Sequence, residues 1–139
     1  MSVVLDANAL VVLALDRQRA TAVKARLGEW RDAGDELHAP ELQRYEAANA
    51  LARSVAAGQL PASEVPVAWE VITAVPITLH RFEDGPGVVE ITQRLERKSA
   101  YDAAYVVLAD RLGAELWTLD GPLARNAGSR GLPVRLIEA

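Results

Sequence analysis

The sequence predicts an α/β fold in which a mostly parallel sheet carries helices on both faces. Short apolar stretches typical of buried strands alternate along the chain with segments of helical periodicity. The first such pair comes at once, because the strand-like run Ser2–Leu5 leads directly into an apolar helical segment at residues 9–15. No low-complexity linker or repeat interrupts the alternation, so the chain of 139 residues is expected to form one domain.

The later elements follow from periodicity and from the glycines and prolines that bound it. Helices are predicted over residues 18–33, from Pro40 to Gly58, between Pro61 and Pro76, over residues 88–98, and in a following segment that ends at Gly113. Strands are predicted over residues 37–39, 77–79, 115–120 and 133–139. The DGPG sequence at residues 84–87 is expected to be a turn, and residues 121–131 a short helix or a loop.

Composition excludes several kinds of protein. The net charge of −4 gives no global electrostatic argument for nucleic-acid binding, although it leaves room for a local basic patch. The absence of cysteine excludes disulfides, thiolate metal sites and a cysteine nucleophile. Two histidines, His38 and His80, are too few for a histidine-based zinc site without carboxylate ligands. The longest apolar run is too short to cross a bilayer and the first residues lack a secretion-signal pattern, so a cytoplasmic protein is expected.

Asp102 occupies an unusual place, at the head of a helical stripe that is otherwise apolar. The rest of the stripe consists of Tyr105, Val106, Ala109 and Leu112. Asp110, in the same helix, lies off the stripe. Two interpretations of Asp102 stay open: a functional carboxylate, or the second member of a capping box that begins at Ser99.

Asp6 and Asp120 each follow a predicted strand. Ligands of open parallel sheets collect beyond the carboxyl ends of the strands, so both positions suit a functional side chain. Each aspartate could instead cap the helix that follows it. At Asp120 the turn chemistry of Gly121-Pro122 favours a turn or a cap over a functional role.

Glu46 is an ordinary solvated acid by helical periodicity. The apolar face predicted for its helix consists of Tyr45, Ala48, Leu51, Ala52 and Val55. Glu46 lies on the opposite side, with Asn49 and Arg53.

Carboxylate chemistry remains once the familiar motifs are excluded. The sequence contains no GxxxxGK[ST], GxGxxG, GxSxG or HExxH. Carboxylates gathered at one edge of a sheet repel one another unless a cation lies among them, and oxygen ligands without His or Cys suit Mg²⁺ or Mn²⁺. The residues therefore indicate an acidic metal site of a kind that supports phosphoryl chemistry.

Four segments, in order, resemble the motifs of PIN-domain ribonucleases, and within that family those of the VapC-type toxins of bacterial toxin–antitoxin pairs. They are VVLDANAL, PELQRYEAANAL, SAYDAAYVVLA and LWTLDGPL. The resemblance implies a PIN-like three-layer α/β/α domain over residues 1–139, acting as an endoribonuclease that depends on Mg²⁺ or Mn²⁺. It implies hydrolysis by a metal-activated water that leaves a 5′-phosphate and a 3′-hydroxyl.

The resemblance also assigns residues. It implies a catalytic metal site formed by Asp6, Glu46, Asp102 and Asp120, of which Asp6 and Asp102 are the principal ligands. Asn8 and Thr118 are candidate hydrogen-bond partners of these ligands.

RNA binding needs cationic contacts. Arg94, Arg97 and Lys98, which precede the helix of Asp102, are the candidates, although they equally suit a solvated helix face alongside Glu90 and Glu96.

Partners and competing functions follow from the same resemblance. It implies a homodimer and a small VapB-type antitoxin, which an apolar surface near Trp30 and Leu42 could receive unless these residues belong to the core. Two other functions stay open: a catalytically silent PIN-fold module that binds RNA or protein, and a metal-dependent phosphatase of small molecules on another α/β fold.

Overall fold

A computed structural model describes residues 1–97 and 100–139 of the chain. In these two segments it contains five strands: β1 Ser2–Leu5, β2 Glu36–Pro40, β3 Ile77–His80, β4 Glu115–Thr118 and β5 Val134–Leu136. The α-helices of the same segments are α1 Ala7–Leu15, α2 Arg17–Ala33, α3 Leu42–Ala56, α4 Val65–Ala74, α5 Gly85–Arg94, α6 Tyr101–Leu112 and α7 Gly121–Ser129. No helix within the described segments is both long and apolar enough to span a membrane.

The strands form one parallel sheet in the order β3-β2-β1-β4-β5. From the central strand β1 the chain first builds outward to β2 and β3, and then crosses back to add β4 and β5 on the other side. The order therefore reverses between β1 and β4, and the crevice beyond the carboxyl ends of these two strands is the switch point at which α/β sheets bind ligands.

Two hydrophobic clusters flank the sheet. One joins α1, α2, α3 and α4 to Val3 and Leu5 of β1, and the other joins α6 and α7 to Val4 of the same strand. The alternation of the three residues along β1 sends their side chains to opposite faces. This arrangement confirms the predicted α/β fold with a parallel sheet between two helical layers.

Trp30 belongs to the first cluster and not to a docking surface. Its side chain is buried and packs edge-on against Trp117, with ring centroids 5.7 Å apart. Leu42 is partly buried and packs against the cluster on the other face. The surface suggested near these two residues as an antitoxin site is therefore largely core.

Several element boundaries differ from the prediction: α4 begins at Val65, α5 ends at Arg94, and β5 is confined to Val134–Leu136. Three further differences have a clear physical reason or bear on the site. The DGPG segment is the start of α5 and not a turn, because the Asp84 side chain accepts a hydrogen bond from the Gly87 amide and proline is tolerated in a first turn. Pro40 ends β2, so α3 begins two residues later than expected. β4 ends at Thr118, and Asp120 caps α7.

Two histidine side chains form a hydrogen bond between β2 and the edge strand β3, beside the backbone pairing of these strands. His38 Nδ1 and His80 Nε2 are 2.9 Å apart, which is hydrogen-bond distance for a pair that shares one proton. Glu36 Oε2 lies 3.4 Å from the other ring nitrogen of His38. Burial, the neighbouring His38 and the charge of Arg111 on α6 together lower the pKa of His80.

We expect the His80→Gln substitution to flatten the dependence of stability on pH. Because the folded state depresses the pKa of His80, the unfolded chain binds more protons, and the wild type loses stability as the pH falls below the usual histidine value of 6.5. Urea unfolding of both proteins at several pH values between about 7 and 5 measures the difference between the two curves. Parallel curves would contradict the expectation.

Candidate active site

Asp6 lies at the switch point, directly after β1. Its Oδ1 accepts a hydrogen bond of 3.1 Å from the Ala9 amide and thereby caps α1, while its Oδ2 accepts one of 2.5 Å from the Thr118 hydroxyl. Burial is the main cause that raises the pKa of Asp6 to about 6, and the charges of Asp102 and Glu46 add to it. Capping and a place in an acidic cluster, posed as alternatives for Asp6, are combined in one side chain.

Thr118 connects Asp6 to Asp120. The fully buried threonine is the last residue of β4, and its Oγ1 donates to Asp6 and accepts a hydrogen bond of 3.0 Å from the Asp120 amide. Asp120 in turn accepts 2.9 Å from the Leu123 amide as the cap of α7. One hydroxyl thus ties together the carboxyl ends of β1 and β4.

Asp102 lies in the first turn of α6 and is partly exposed. Burial raises its pKa, the charge of Arg97 opposes this effect, and the charge of Asp120 adds to it. The residue that precedes the helix, Ala100, caps it without a side-chain hydrogen bond. Ser99, the proposed start of a capping box, lies outside the described residues.

The stripe behind Asp102 is buried as predicted. Tyr105, Val106 and Ala109 are in the core, and Leu112 is partly buried against it. The exposed Asp110 faces away from it. The first turn of α6 is therefore held by packing, and the position of Asp102 is held with it.

Glu46 is brought into the cluster, contrary to the periodicity of its helix. The predicted apolar face of α3 is wrong in part. Leu51 is buried and Val55 is partly buried as predicted, but Tyr45 is 77% exposed, and Gln43 and Ala47 are buried in its stead. Glu46 Oε1 accepts a hydrogen bond of 2.5 Å from the Tyr105 hydroxyl. Burial raises the pKa of Glu46, the hydrogen bond from Tyr105 opposes the rise, and the charge of Asp102 adds to it.

Two further residues hold this arrangement and were not singled out by sequence reasoning. Gln43 is completely buried, and its Nε2 donates 2.7 Å to the carbonyl of Leu5, the residue before Asp6. Tyr105 was recognised only as a core residue, whereas burial and the charge of Glu46 raise the pKa of its phenol and keep it a hydrogen-bond donor. No local signal in the sequence marks this side of α3 as buried, because glutamine is usually an exposed residue.

The residues predicted to bind RNA, together with Asn8, are not all found at the acidic cluster. Arg97 Nη1 lies 3.5 Å from Asp102 Oδ2 and so borders the cluster. Arg94 instead donates to the carbonyl of Arg130, and Lys98 lies outside the described residues. The Asn8 side chain is exposed and forms no hydrogen bond with any residue of the described segments.

The donor set of the cluster fits a hydrated divalent cation. Within residues 1–97 and 100–139, no group of three or more His, Cys, Asp or Glu side chains is arranged to hold a metal ion directly. Burial raises the pKa values of Asp6, Glu46 and Asp102, and the charges of neighbouring carboxylates add to the rise, so a cation placed among them would relieve both effects. Mg²⁺ typically keeps several waters and takes only one or two protein carboxylates, so this open set of oxygens suits it.

Fold and site together define a class: a parallel α/β protein with a cluster of acids at the switch point of its sheet. The family model described as PIN domain matches residues 3–129. The chain belongs to the PIN domain family, as its four motifs predicted.

Several similar proteins are named as VapC ribonucleases. The chain is 37% identical over 124 residues to Ribonuclease VapC3 of Mycobacterium tuberculosis, covering 88% of this chain and 85% of that protein. It is 31% identical to Ribonuclease VapC3 of Pyrobaculum aerophilum, covering 91% and 95% of the two chains, and 32% identical to Ribonuclease VapC12 of M. tuberculosis, covering 91% and 92%. The resemblance to VapC-type PIN-domain ribonucleases is confirmed.

Solved structures share the fold at lower identity. PAE2754 from Pyrobaculum aerophilum matches with a TM-score of 0.68 and 22% identity, over 91% of this chain and 79% of that chain. The PilT N-terminus domain protein SSO1118 from Sulfolobus solfataricus P2 matches with a TM-score of 0.50 and 11% identity, over 99% and 87% of the two chains.

Proposed function

We propose that this protein is an endoribonuclease dependent on Mg²⁺ or Mn²⁺ that acts as the toxin of a toxin–antitoxin pair. The observation that carries the proposal is the acidic cluster at the switch point, where burial and the charges of neighbouring carboxylates raise the pKa values of Asp6, Glu46 and Asp102. Asp120 belongs to the cluster through its charge, which acts on Asp102. The similarity to ribonucleases of the VapC name supports RNA as the substrate.

Each acid has a proposed task. Asp6 and Asp102 hold the cation, because they come from the end of the central strand and from a helix turn fixed by core packing. Glu46 orients the attacking water, and Asp120 completes the site, held in place by its bonds to Thr118 and Leu123. When bound, the cation supplies charge stabilisation for the phosphate and lowers the pKa of water.

Arg97 is proposed to bind an RNA phosphate. It is paired with Asp102 at 3.5 Å and remains one-third exposed. A guanidinium at that distance from a partly exposed carboxylate is held weakly and can turn to a phosphate, for which its planar fork is well suited.

The remaining parts of the proposal rest on the resemblance to VapC-type toxins. They are a VapB-type antitoxin as partner, a homodimer as the working form, and a cytoplasmic location.

The test is RNA cleavage by the purified full chain, using an end-labelled structured RNA with Mg²⁺, with Mn²⁺ or with EDTA. We expect fragments that carry 5′-phosphates with either metal and intact RNA with EDTA. RNA that stays intact in the presence of metal would contradict the proposal. In that case, a gel shift without cleavage would favour the silent RNA-binding module, and hydrolysis of p-nitrophenyl phosphate would favour the small-molecule phosphatase.

A further inference from the structure

The Tyr105 hydroxyl forms a bond between the two helical layers. Tyr105 lies on α6, which packs in the cluster with α7, whereas Glu46 lies on α3, which packs in the cluster with α1, α2 and α4. The hydrogen bond of 2.5 Å from the phenol to Glu46 Oε1 crosses the carboxyl edge of the sheet and joins residues 59 positions apart.

We propose that Tyr105 is a positioning residue that holds the Glu46 carboxylate in the acidic site. The proposal rests on the proposed nuclease function, since it assigns the support of one of its four acids. Tyr105 does not contact the reacting atoms and acts through Glu46.

The ring of Tyr105 is a rigid support. The side chain is 2% exposed and belongs to the buried stripe of α6, three residues after Asp102. Because residues three apart lie on one face of a helix, the phenol and Asp102 keep a fixed relation. A hydroxyl in this place fixes the Glu46 carboxylate relative to α6, whose first turn carries Asp102.

Glu46 needs such a support. Its side chain has freely rotating bonds, it pairs with no cation in the described segments, and the negative charges of Asp102 and Asp6 favour its rotation toward water. The phenol is the only hydrogen-bond partner of its carboxylate within residues 1–97 and 100–139. Because the phenol engages Oε1, the second oxygen is left for a water or a cation.

The test removes the hydroxyl and keeps the ring, with the substitution Tyr105→Phe. We expect kcat for RNA cleavage to fall by about 10- to 100-fold, the range found when a residue that supports a ligand is lost, with KM for RNA almost unchanged. Mn²⁺ affinity, measured by calorimetry without RNA, should fall as well. Melting in EDTA verifies that the variant folds.

Tyr45→Phe is the matched control. It removes the hydroxyl of an exposed tyrosine directly before Glu46 on the same helix, so kcat and Mn²⁺ affinity should stay within about twofold of the wild type. If Tyr105→Phe behaves like this control, the proposal is wrong.

A double-mutant cycle separates positioning from packing. In a Glu46→Ala background the phenol has no acceptor, so adding Tyr105→Phe should change Mn²⁺ affinity no further. The phenol also has a backbone hydrogen bond with Ala7, the residue after Asp6. An equal loss with and without Glu46 would mean that Tyr105 acts through Ala7 or through the core, and the proposal would be wrong. The comparison stays valid even if Tyr105→Phe is less stable, because the same substitution is made in the wild type and in the Glu46→Ala variant.

Mn²⁺ binding and RNA cleavage together distinguish failure of the nuclease proposal from failure of the Tyr105 proposal. If the wild type binds Mn²⁺ and cuts no RNA, the nuclease proposal falls and the calorimetric cycle still decides on Tyr105. If the wild type neither binds Mn²⁺ nor cuts RNA, both proposals fall.

Discussion

Replacement of Asp102 with asparagine is expected to lower the rate of RNA cleavage by a factor on the order of 10³ or more. The amide keeps the shape of the side chain and loses the negative charge that a cation requires. A proposed ligand should cost more than the 10- to 100-fold typical of residues that only support ligands. Single-turnover cleavage of an end-labelled RNA at saturating Mg²⁺ measures the loss directly.

Asp110→Asn provides the control for this prediction. It makes the same chemical change on the same helix, at an exposed position off the buried stripe. Its rate should stay within about twofold of the wild type, as for most surface substitutions. If Asp102→Asn cleaves RNA within tenfold of Asp110→Asn, Asp102 is not a principal ligand.

Asp6→Asn is expected to stabilise the metal-free protein at neutral pH. Because burial raises the pKa of Asp6 from 3.8 to about 6, the contribution of this carboxyl to stability is fully present below pH 3.8 and is lost as the pH rises through 6. A shift of about two pKa units corresponds to about 3 kcal/mol. Asp6 keeps part of its surface in water, which screens its charge, so we expect a gain of about 1–2 kcal/mol.

Urea unfolding in EDTA measures this gain, which should vanish toward pH 4. Asp16→Asn is the control, because Asp16 also caps a helix, and its hydrogen bonds with Arg19 lower its pKa. That substitution should destabilise the protein at neutral pH. If Asp6→Asn is equally destabilising in EDTA, the carboxylate of Asp6 is not strained by its surroundings.

Adding Mn²⁺ should make the wild type more stable than the Asp6→Asn variant, the reverse of the order expected in EDTA. A ligand that binds only the folded state adds about 2.7 kcal/mol at one hundred times its Kd. The wild type should therefore gain stability when Mn²⁺ replaces EDTA, and the variant should gain much less. Equal gains would exclude Asp6 from the metal site.

The strand-end positions of the site could be predicted from the sequence because they follow from local pattern. An apolar strand that stops at Asp6 places this residue at the sheet edge in any parallel arrangement, and Asp120 follows its strand at the same edge. Asp102 stood out because it heads an apolar stripe that is in fact buried, although the stripe alone left a capping box open and the resemblance was needed to favour a site residue.

Glu46 could not be placed by the same reasoning. Local pattern assigned Tyr45 to the core, whereas α3 turns its Gln43 side inward, with a buried amide that bonds to the carbonyl of Leu5. A polar residue can occupy a buried face when it has such a partner. Helical periodicity also cannot predict the hydrogen bond between Tyr105 and Glu46, because it depends on how two helices of different layers pack against each other.

The start of α5 was misjudged for a different reason. Asp84 followed by Gly85 and Pro86 is favourable turn chemistry and also favourable helix-start chemistry. The choice between a turn and a helix start depends on where the following helix begins. The ends of a helix are harder to predict from local sequence than its presence.

The division of the chain between the two helical layers has a consequence for biosynthesis. Residues up to Ala74 supply one layer together with Asp6 and Glu46, and residues from Gly85 onward supply the other together with Asp102 and Asp120. The N-terminal part emerges from the ribosome first. A nascent chain of that part contains Asp6 and Glu46 but lacks β4, one of the two strands that pair with β1. A translation product that stops before Asp102 contains no complete site, and the acidic cluster is assembled only when synthesis is nearly finished.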